Sequence, residues 1–362
     1  MRGTISKYEM FEPKDKIMVA VSGGKDSVTL LHILTKIEKA FPDATLSAVT
    51  VDEGIKGYRD EALRVAMKNC QKLGVEHVVT SFKEMYGYTL DEIVIMIRNR
   101  KKKGLTPCSY CGVLRRRALN TAAREAGVNK LATAHSLDDE TQTMLLNIIH
   151  GDALRIARAK PVLTVIHPKL VQRVKPVCEV PEKEIAFYAY LRRIEFQSIP
   201  CPYAQTALRN DVRTMLNRLE EKHAGTKFAV LNIIHGDALR IARAKPVLTV
   251  IHPKLVQRVK PVCEVPEKEI AFYAYLRRIE FQSIPCPYAQ TALRNDVRTM
   301  LNRLEEKHAG TKFAVFRSME RIRPALEKMA EEAKLQNCRI CGEPTVGKLC
   351  KPCQMLQELH VF

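Results

Sequence analysis

The chain has 362 residues, with 59 Lys and Arg against 40 Asp and Glu, for a formal charge of +19. An excess of that size points to a polyanionic partner, because neutralising phosphates and releasing their counterions is the main sequence-independent source of nucleic-acid affinity; a basic but merely solvated surface is the plain alternative. The apolar stretches are short and broken by charges, which excludes a run of about 20 apolar residues crossing a bilayer, and the N-terminal MRGTISKYEMFEPKD holds no apolar leader block.

The chain is therefore expected in the cytoplasm, where its eleven cysteines stay reduced. Clustered as CxxC pairs in a chain of this length, they point to metal rather than to disulfides. Residues 146–230 recur letter for letter as 231–315, so any residue in that stretch has a twin. Stacked repeats run to about 20–50 residues and vary in sequence, so one perfect copy of 85 residues is read as surplus. Without it the chain has 277 residues, a charge of +13 and a text that reads continuously across the junction.

In chain order, the apolar run 16–21 ends at a Gly pair and is followed by the helical spacing Val28, Leu31, Leu34. The alternation continues as strand 45–51, helix 58–72, strand 76–82, helix 90–100, helix 113–126, strand 130–134, helix 138–149, strand 171–177 and helix 182–193. Helices 208–222 and 318–333 follow, then a cysteine-rich tail. Strands alternating with helices predict a doubly wound, mostly parallel α/β sheet whose ligand lies beyond the carboxyl ends of the strands. The expected domains are 1–230 (catalytic), 231–315 (duplicate), 316–335 (helical connector) and 336–362 (a C-terminal zinc ribbon).

The first strand-to-helix turn reads Ser22-Gly23-Gly24-Lys25-Asp26-Ser27. Unpaired N–H groups and the helix dipole favour anionic oxygens there, and glycines let phosphate approach the backbone. Lys25 can meet the phosphates, Ser22 and Ser27 can donate hydrogen bonds, and Asp26 can cap the helix or help hold Mg²⁺. The segment lacks GxxxxGK[ST] and so is not the P-loop of kinases and GTPases. At the next strand end Asp52 and Glu53 follow, Asp52 being read equally well as a cap.

Cys108 and Cys111 form a CxxC ahead of Arg115, Arg116 and Arg117, and a further cysteine, Cys201, sits in a CPY triplet with its twin Cys286. Three thiolates are one too few for closed structural zinc but can hold a [4Fe–4S] cluster with one iron open; a redox dithiol or half a zinc site stays open from the CxxC alone. His135-Ser-Leu-Asp138-Asp139-Glu140 opens a helix at a strand end, where the acidic pair can simply offset the dipole. Cys338, Cys341, Cys350 and Cys353 are a complete four-thiolate set at zinc-ribbon spacing. Cys70, Cys178 and Cys263 read as core thiols.

SGGKDS resembles the PP-loop of the ATP pyrophosphatases, an adenine nucleotide alpha-hydrolase-like fold. Together with PCSYCG…LRR, AHSLDDETQ, VKPVCEVPEKEIAFYAYL and CPY, it resembles the TtuA/Ncs6 family of tRNA 2-thiouridine synthetases over nearly all of the reduced chain. The resemblance implies ATP and Mg²⁺ as cofactors, adenylation of a uridine C2 oxygen, and a [4Fe–4S] cluster on Cys108, Cys111 and Cys201, with Cys286 as the alternative third ligand. It implies Asp139 as acid/base or Mg²⁺-linked residue, Asp138 as its capping neighbour, and Asp52, Glu53 and His135 near the nucleotide. Arg115, Arg116, Arg117 and Lys101–Lys103 become candidates for tRNA phosphates. A sulfur donor is implied, either a thiocarboxylated ubiquitin-like protein or sulfide, as is a homodimer. Members usually begin with another zinc ribbon, which this chain is expected to lack. A tRNA 2-thiocytidine synthetase is the runner-up, disfavoured by the C-terminal ribbon, and an inactive RNA-binding remnant is the non-enzymatic alternative; ATP–pyrophosphate exchange separates the remnant from both.

Overall fold

The computed structural model describes residues 1–41, 43–98, 106–150, 152, 155–156, 159–165, 167–203, 208–231, 260–280, 293–330, 336–342, 344–345, 347–350, 353–354 and 357. Two compact units divide the chain, one of residues 1–146 and 154–231, the other of 147–153 and 232–362.

The first unit follows the sequence pattern. A short helix α1 (Arg2–Lys7) precedes β1 (Lys16–Ala20), α2 (Lys25–Glu38), β2 (Thr45–Asp52), α3 (Arg59–Leu73) and β3 (Glu76–Ser81). Helices α4 (Phe82–Tyr86), α5 (Leu90–Arg98) and α6 (Pro107–Glu125) lead to β4 (Lys130–Ala132), α7 (Leu137–Ile149) and β5 (Gln172–Val174). Three helices complete it: α8 (Glu182–Leu191), α9 (Leu208–Lys222) and α10 (Thr226–Leu231). The sheet order is β3-β2-β1-β4-β5 and every pair is parallel. The order reverses between β1 and β4, so the crevice at their carboxyl ends is where a doubly wound sheet binds its ligand.

Both faces of the sheet are covered at its centre, which is why β1 is apolar and buried at successive positions, Ile17, Met18 and Val19. Ile17 and Val19 pack with Val28, Leu31 and Leu34 of α2, Val65 and Ala66 of α3, and Ile185 and Ala189 of α8. Met18 points the other way, with Val49, Val51 and Leu131, onto Phe82, Leu90, Val94 and Ala118, Leu119, Ala122 and Ala123 of α6. Strand β5 is shorter than its apolar run: the chain turns from Lys175 onward, with Cys178 N–H on Lys175 O at 3.1 Å and Val180 N–H on Val177 O at 2.9 Å. Pro176 has no N–H to continue a ladder.

Helix α6 begins six residues before the predicted start. Thr106 caps it, accepting from Ser109 N–H at 3.3 Å, and Pro107 occupies the first turn. The CxxC thus lies on the first turns of a helix rather than in a loop.

The second unit contains α11 (Glu267–Leu276), α12 (Leu293–Lys307), α13 (Thr311–Ala330) and the two-stranded β6 (Gln336–Asn337) and β7 (Pro344–Thr345). Ser318, fully buried, donates from Oγ to the carbonyl of Ala314 at 2.8 Å. Helices α8 and α11 have the same sequence and nearly the same caps, Pro181 at φ −59° and Pro266 at φ −57°. Their surroundings differ: Ile185 is 3% exposed and its twin Ile270 41%, Val177 1% and its twin Val262 57%. The helix is encoded locally, whereas burial, about 1.5–3 kcal/mol for a full Ile or Val side chain, comes only from a partner. The first copy supplies β5 and the buried face of α8 to the sheet.

Candidate active site

The turn after β1 is held shut by its own side chains. Ser27 Oγ accepts from Ser22 N–H at 3.0 Å and donates to Gly24 O at 2.9 Å, while Ser22 Oγ lies 3.0 Å from Ser27 Oγ. Gly23 sits at φ +88°, and a Cβ there would fall 2.4 Å from the carbonyl oxygen of Ala62. Buried Gln197 clamps the turn from outside, its N–H on Gly23 O at 2.9 Å and Nε2 on Tyr58 O at 2.6 Å. Gly24 caps α2, leaving first-turn N–H groups directed at the crevice.

Lys25 Nζ pairs with Glu182 at 2.6 Å and Asp26 at 3.0 Å. Burial pushes the Asp26 carboxyl up to about 6; Lys25 opposes this, and the charges of Asp139 and Glu182 add to it. Because the folded value lies above the unfolded one, the contribution of Asp26 to stability is full below about pH 4 and is lost as pH rises through about 6. At pH 7 its charge is a cost. Asp26→Asn is expected to stabilise the nucleotide-free protein at pH 7 by up to about 3 kcal/mol, with little effect at pH 4. Urea melts at the two pH values check this, and equal effects at both would contradict it.

The two aspartates of α7 are placed differently. Asp138 is buried: Oδ2 accepts from Glu182 N–H at 2.8 Å and Oδ1 pairs with Lys227. Burial works against its charge, but the Glu182 amide and the Lys227 ammonium more than offset it and hold the carboxyl below its usual range. Asp139 is 24% exposed, with Oδ2 on Ser136 N–H and Oγ, both at 3.1 Å, and Oδ1 3.6 Å from Arg209 Nη1. His135 is exposed, with Nδ1 2.9 Å from Thr133 Oγ1. Asp52 closes a turn, accepting from Gly54 N–H at 2.8 Å.

Beside this crevice lie the thiols. Cys111 is buried, Cys108 exposed and Cys201 half-buried in the same apolar cluster as Cys111. Cys108 Sγ donates to Tyr203 O at 3.3 Å, and the Tyr203 hydroxyl donates to Asp91 at 2.6 Å, pinning the Cys201 loop to α5. Burial pushes the Cys108 thiol up and the Cys111 thiol up to about 11, and the charge of Cys201 is felt at both. Three thiols from two chain segments, with Arg115 Nη2 3.0 Å from Cys111 Sγ, are by their chemistry the donor set of a [4Fe–4S] cluster that leaves one iron open. Cys286 and Lys101–Lys103 lie outside the described residues.

The three arginines separate. Arg115 is engaged by the buried Glu53 at 2.6 Å as well as by Cys111. Arg116 and Arg117 are exposed, as is part of the Arg115 side chain; desolvation, with the like charges of Arg155 and Arg115 adding to it, lowers the proton affinity of Arg116, and desolvation with the charge of Arg116 lowers that of Arg173. Arg59, Gln197, Glu182, Lys227, Arg209 and Tyr203 were not singled out as site residues in the sequence, because each acts on a partner far along the chain, and Glu53 was read only as bordering the nucleotide.

In the second unit the ligand atoms of Cys338, Cys341, Cys350 and Cys353 all lie within 4.8 Å of one another. A tetrahedral zinc with Zn–S near 2.3 Å needs sulfurs about 3.8 Å apart, so the set fits the ion. Cys350 N–H points at Cys338 Sγ at 3.2 Å, and such backbone donors hold the Cys338 thiol below its usual range. Cys350→Ala is expected to release one zinc per chain and all amide-exchange protection across 337–350, with iron content unchanged. Zinc retained in full would refute the assignment.

These arrangements define a nucleotide-binding α/β protein with a thiol set beside the nucleotide turn. A profile described as the PP-loop domain matches residues 3–220. The cytoplasmic tRNA 2-thiolation protein 1 of Chlamydomonas reinhardtii is 38% identical over 234 residues, 64% of this chain and 63% of its own length. Its counterpart in Laccaria bicolor is 33% identical over 266 residues, 73% of this chain and 70% of its own. Among solved structures, the U34-tRNA thiolase NcsA from Methanococcus maripaludis with its [4Fe-4S] cluster is 34% identical with a TM-score of 0.58, covering 65% of this chain and 75% of that one. The chain belongs to the PP-loop domain family, in the group of the tRNA 2-thiolation proteins. It spans 63–70% of the length of the curated cytoplasmic relatives it matches. Among the described residues no helix is long and apolar enough to cross a membrane.

Proposed function

We propose that this chain is an ATP-dependent tRNA 2-thiouridine synthetase acting in the cytoplasm. What supports the reading is that the buried Glu53 links the SGGKDS turn, through Arg59 on the Ser22 carbonyl, to Cys111, through Arg115. ATP seats its phosphates on the first-turn amides of α2, Ser22 and Ser27, and Lys25 exchanges Glu182 for phosphate oxygen. Asp26 and Asp139 are the carboxylates able to hold Mg²⁺, and Asp52 and His135 border the nucleotide.

The uridine C2 oxygen attacks the α-phosphorus, forming an O–P bond and expelling pyrophosphate. Sulfur then adds at C2 and AMP leaves with the oxygen, which otherwise departs poorly. Asp139 is the group placed to take or return the proton, and Asp138, fixed by Lys227 and the Glu182 amide, positions it. A [4Fe–4S] cluster held by Cys108, Cys111 and Cys201 supplies the sulfur-handling chemistry. Arg116 and Arg117 meet tRNA phosphates. The name of the structural relative supports uridine 34 as target; the sulfur donor is a thiocarboxylated ubiquitin-like protein or sulfide, and the enzyme acts as a homodimer. Residues 146–230 complete the catalytic domain and 231–315 are surplus to it.

The test is anaerobic incubation of reconstituted protein with tRNA, ATP and sulfide, with nucleoside mass spectrometry and AMP release. 2-Thiouridine formed with AMP in equal amount is expected. No tRNA-dependent AMP would sink the reading, and 2-thiocytidine would replace it with the runner-up.

A further inference from the structure

Glu53 is 2% exposed, and each of its oxygens carries a different arginine: Oε2 lies 2.8 Å from Arg59 Nε and Oε1 2.6 Å from Arg115 Nε. Arg59, itself buried, donates from Nη1 to Ser22 O at 2.9 Å and from Nη2 to Val51 O, so it is spent on the nucleotide turn and the end of β2. Arg115 lies one helical turn after Cys111 on α6, on the same face. With Nε on Glu53, its Nη2 reaches Cys111 Sγ at 3.0 Å. Two guanidinium charges face one carboxylate, so the group is one negative charge short, and a metal-ligating thiolate at Cys111 supplies it.

We propose that Arg115 is a positioning residue for the iron–sulfur site rather than an RNA contact: aimed by Glu53, it donates a hydrogen bond to the ligand sulfur of Cys111. The planar fork is needed, because a lysine ammonium offers no second prong at that fixed angle. Hydrogen bonds and positive charge at a ligand sulfur favour the more negative, reduced cluster and so raise its reduction potential.

The inference rests on the assignment of the cluster to Cys108, Cys111 and Cys201, so iron and sulfide are measured first in the reconstituted wild-type protein. No cluster there defeats that assignment. With cluster present, EPR-monitored potentiometry and tRNA binding against salt are run on wild type, Arg115→Met, Arg115→Lys and Arg117→Met. Expected are potentials shifted negative in both Arg115 variants and unshifted in Arg117→Met. The salt slope of tRNA binding is expected to fall by about one in Arg117→Met and to stay unchanged in Arg115→Met. Should Arg115→Met not hold a cluster, Arg115→Lys, which keeps a charge against Glu53, carries the potential measurement. Unshifted potentials in the Arg115 variants, or a salt slope that falls in Arg115→Met, would overturn the proposal.

Discussion

Alanine at Cys108 or at Cys201 is expected to remove the iron and acid-labile sulfide from the anaerobically reconstituted protein, from about four irons per chain to fewer than one, whereas Cys286→Ala keeps both. The thiols are not equivalent in setting. Cys111 is fixed inside α6 against Arg115, Cys108 is one turn earlier at the open end of that helix, and Cys201 rides on a loop tied down by the hydrogen bond of Tyr203 to Asp91. With three ligands there is no spare, so losing one leaves two irons without protein sulfur. The twin at 286 has the same CPY neighbours, and the outcome depends on which copy lies against the sheet. In the structure the first copy does so: β5 pairs with β4, and Val177, Ile185 and Ile194 are buried with α2. Elemental analysis of the three variants decides, and cluster loss confined to Cys286→Ala would reverse the choice of copy.

Gly23→Ala is the second large effect. At φ +88° any L side chain is strained, by about 1–3 kcal/mol, and the new Cβ would also lie 2.4, 2.8 and 2.9 Å from the O, Cα and C of Ala62. These are backbone atoms inside α3 and cannot swing aside, so the turn must leave either α3 or the Gln197 clamp. Displacement of the turn spoils every phosphate donor at once. ATP affinity is expected to fall at least about 100-fold, or about 2.7 kcal/mol, together with a lower melting temperature. Gly24→Ala is the control for stability: its φ of −77° is ordinary and its Cβ meets only Ser22 Oγ at 3.6 Å. Isothermal titration and thermal melts of the two variants test the argument; equal losses of stability would refute it.

Much of this was legible in the sequence, for reasons that differ from element to element. The β1 strand, its glycine turn and α2 are adjacent in the chain, so local pattern and local geometry say the same thing. The four C-terminal cysteines are likewise close in sequence, and their spacing alone defines the set. What was not legible is long-range pairing. Glu53 read, with Asp52, as part of a segment near the nucleotide, and only the folded chain brings Arg59 and Arg115 onto its two oxygens. Arg115 read as one of three basic residues in a row; its side chain is 44% exposed, and what distinguishes it is that Glu53 and Cys111 engage its guanidinium. Asp138 and Asp139 were equivalent as text, and Lys227, 89 residues away, separates them by occupying the first. The predicted start of α6 falls six residues late because the apolar helical spacing begins at Val113, whereas Thr106 and Pro107, an ordinary cap and first-turn pair, start the helix ahead of it.

The perfect identity of α8 and α11 also reaches into how the molecule can be measured. Digestion yields one peptide species from 146–230 and 231–315 alike, at twice the molar amount of any other, drawn from two environments. Cys178, at 1% exposure, and the half-open Cys263 share one such peptide. Alkylation or deuterium uptake there is read as two populations of a single mass, a bimodal signal in a homogeneous protein. Since both share the same intrinsic chemistry, the ratio of their rates isolates what tertiary packing adds, with no unfolded reference needed.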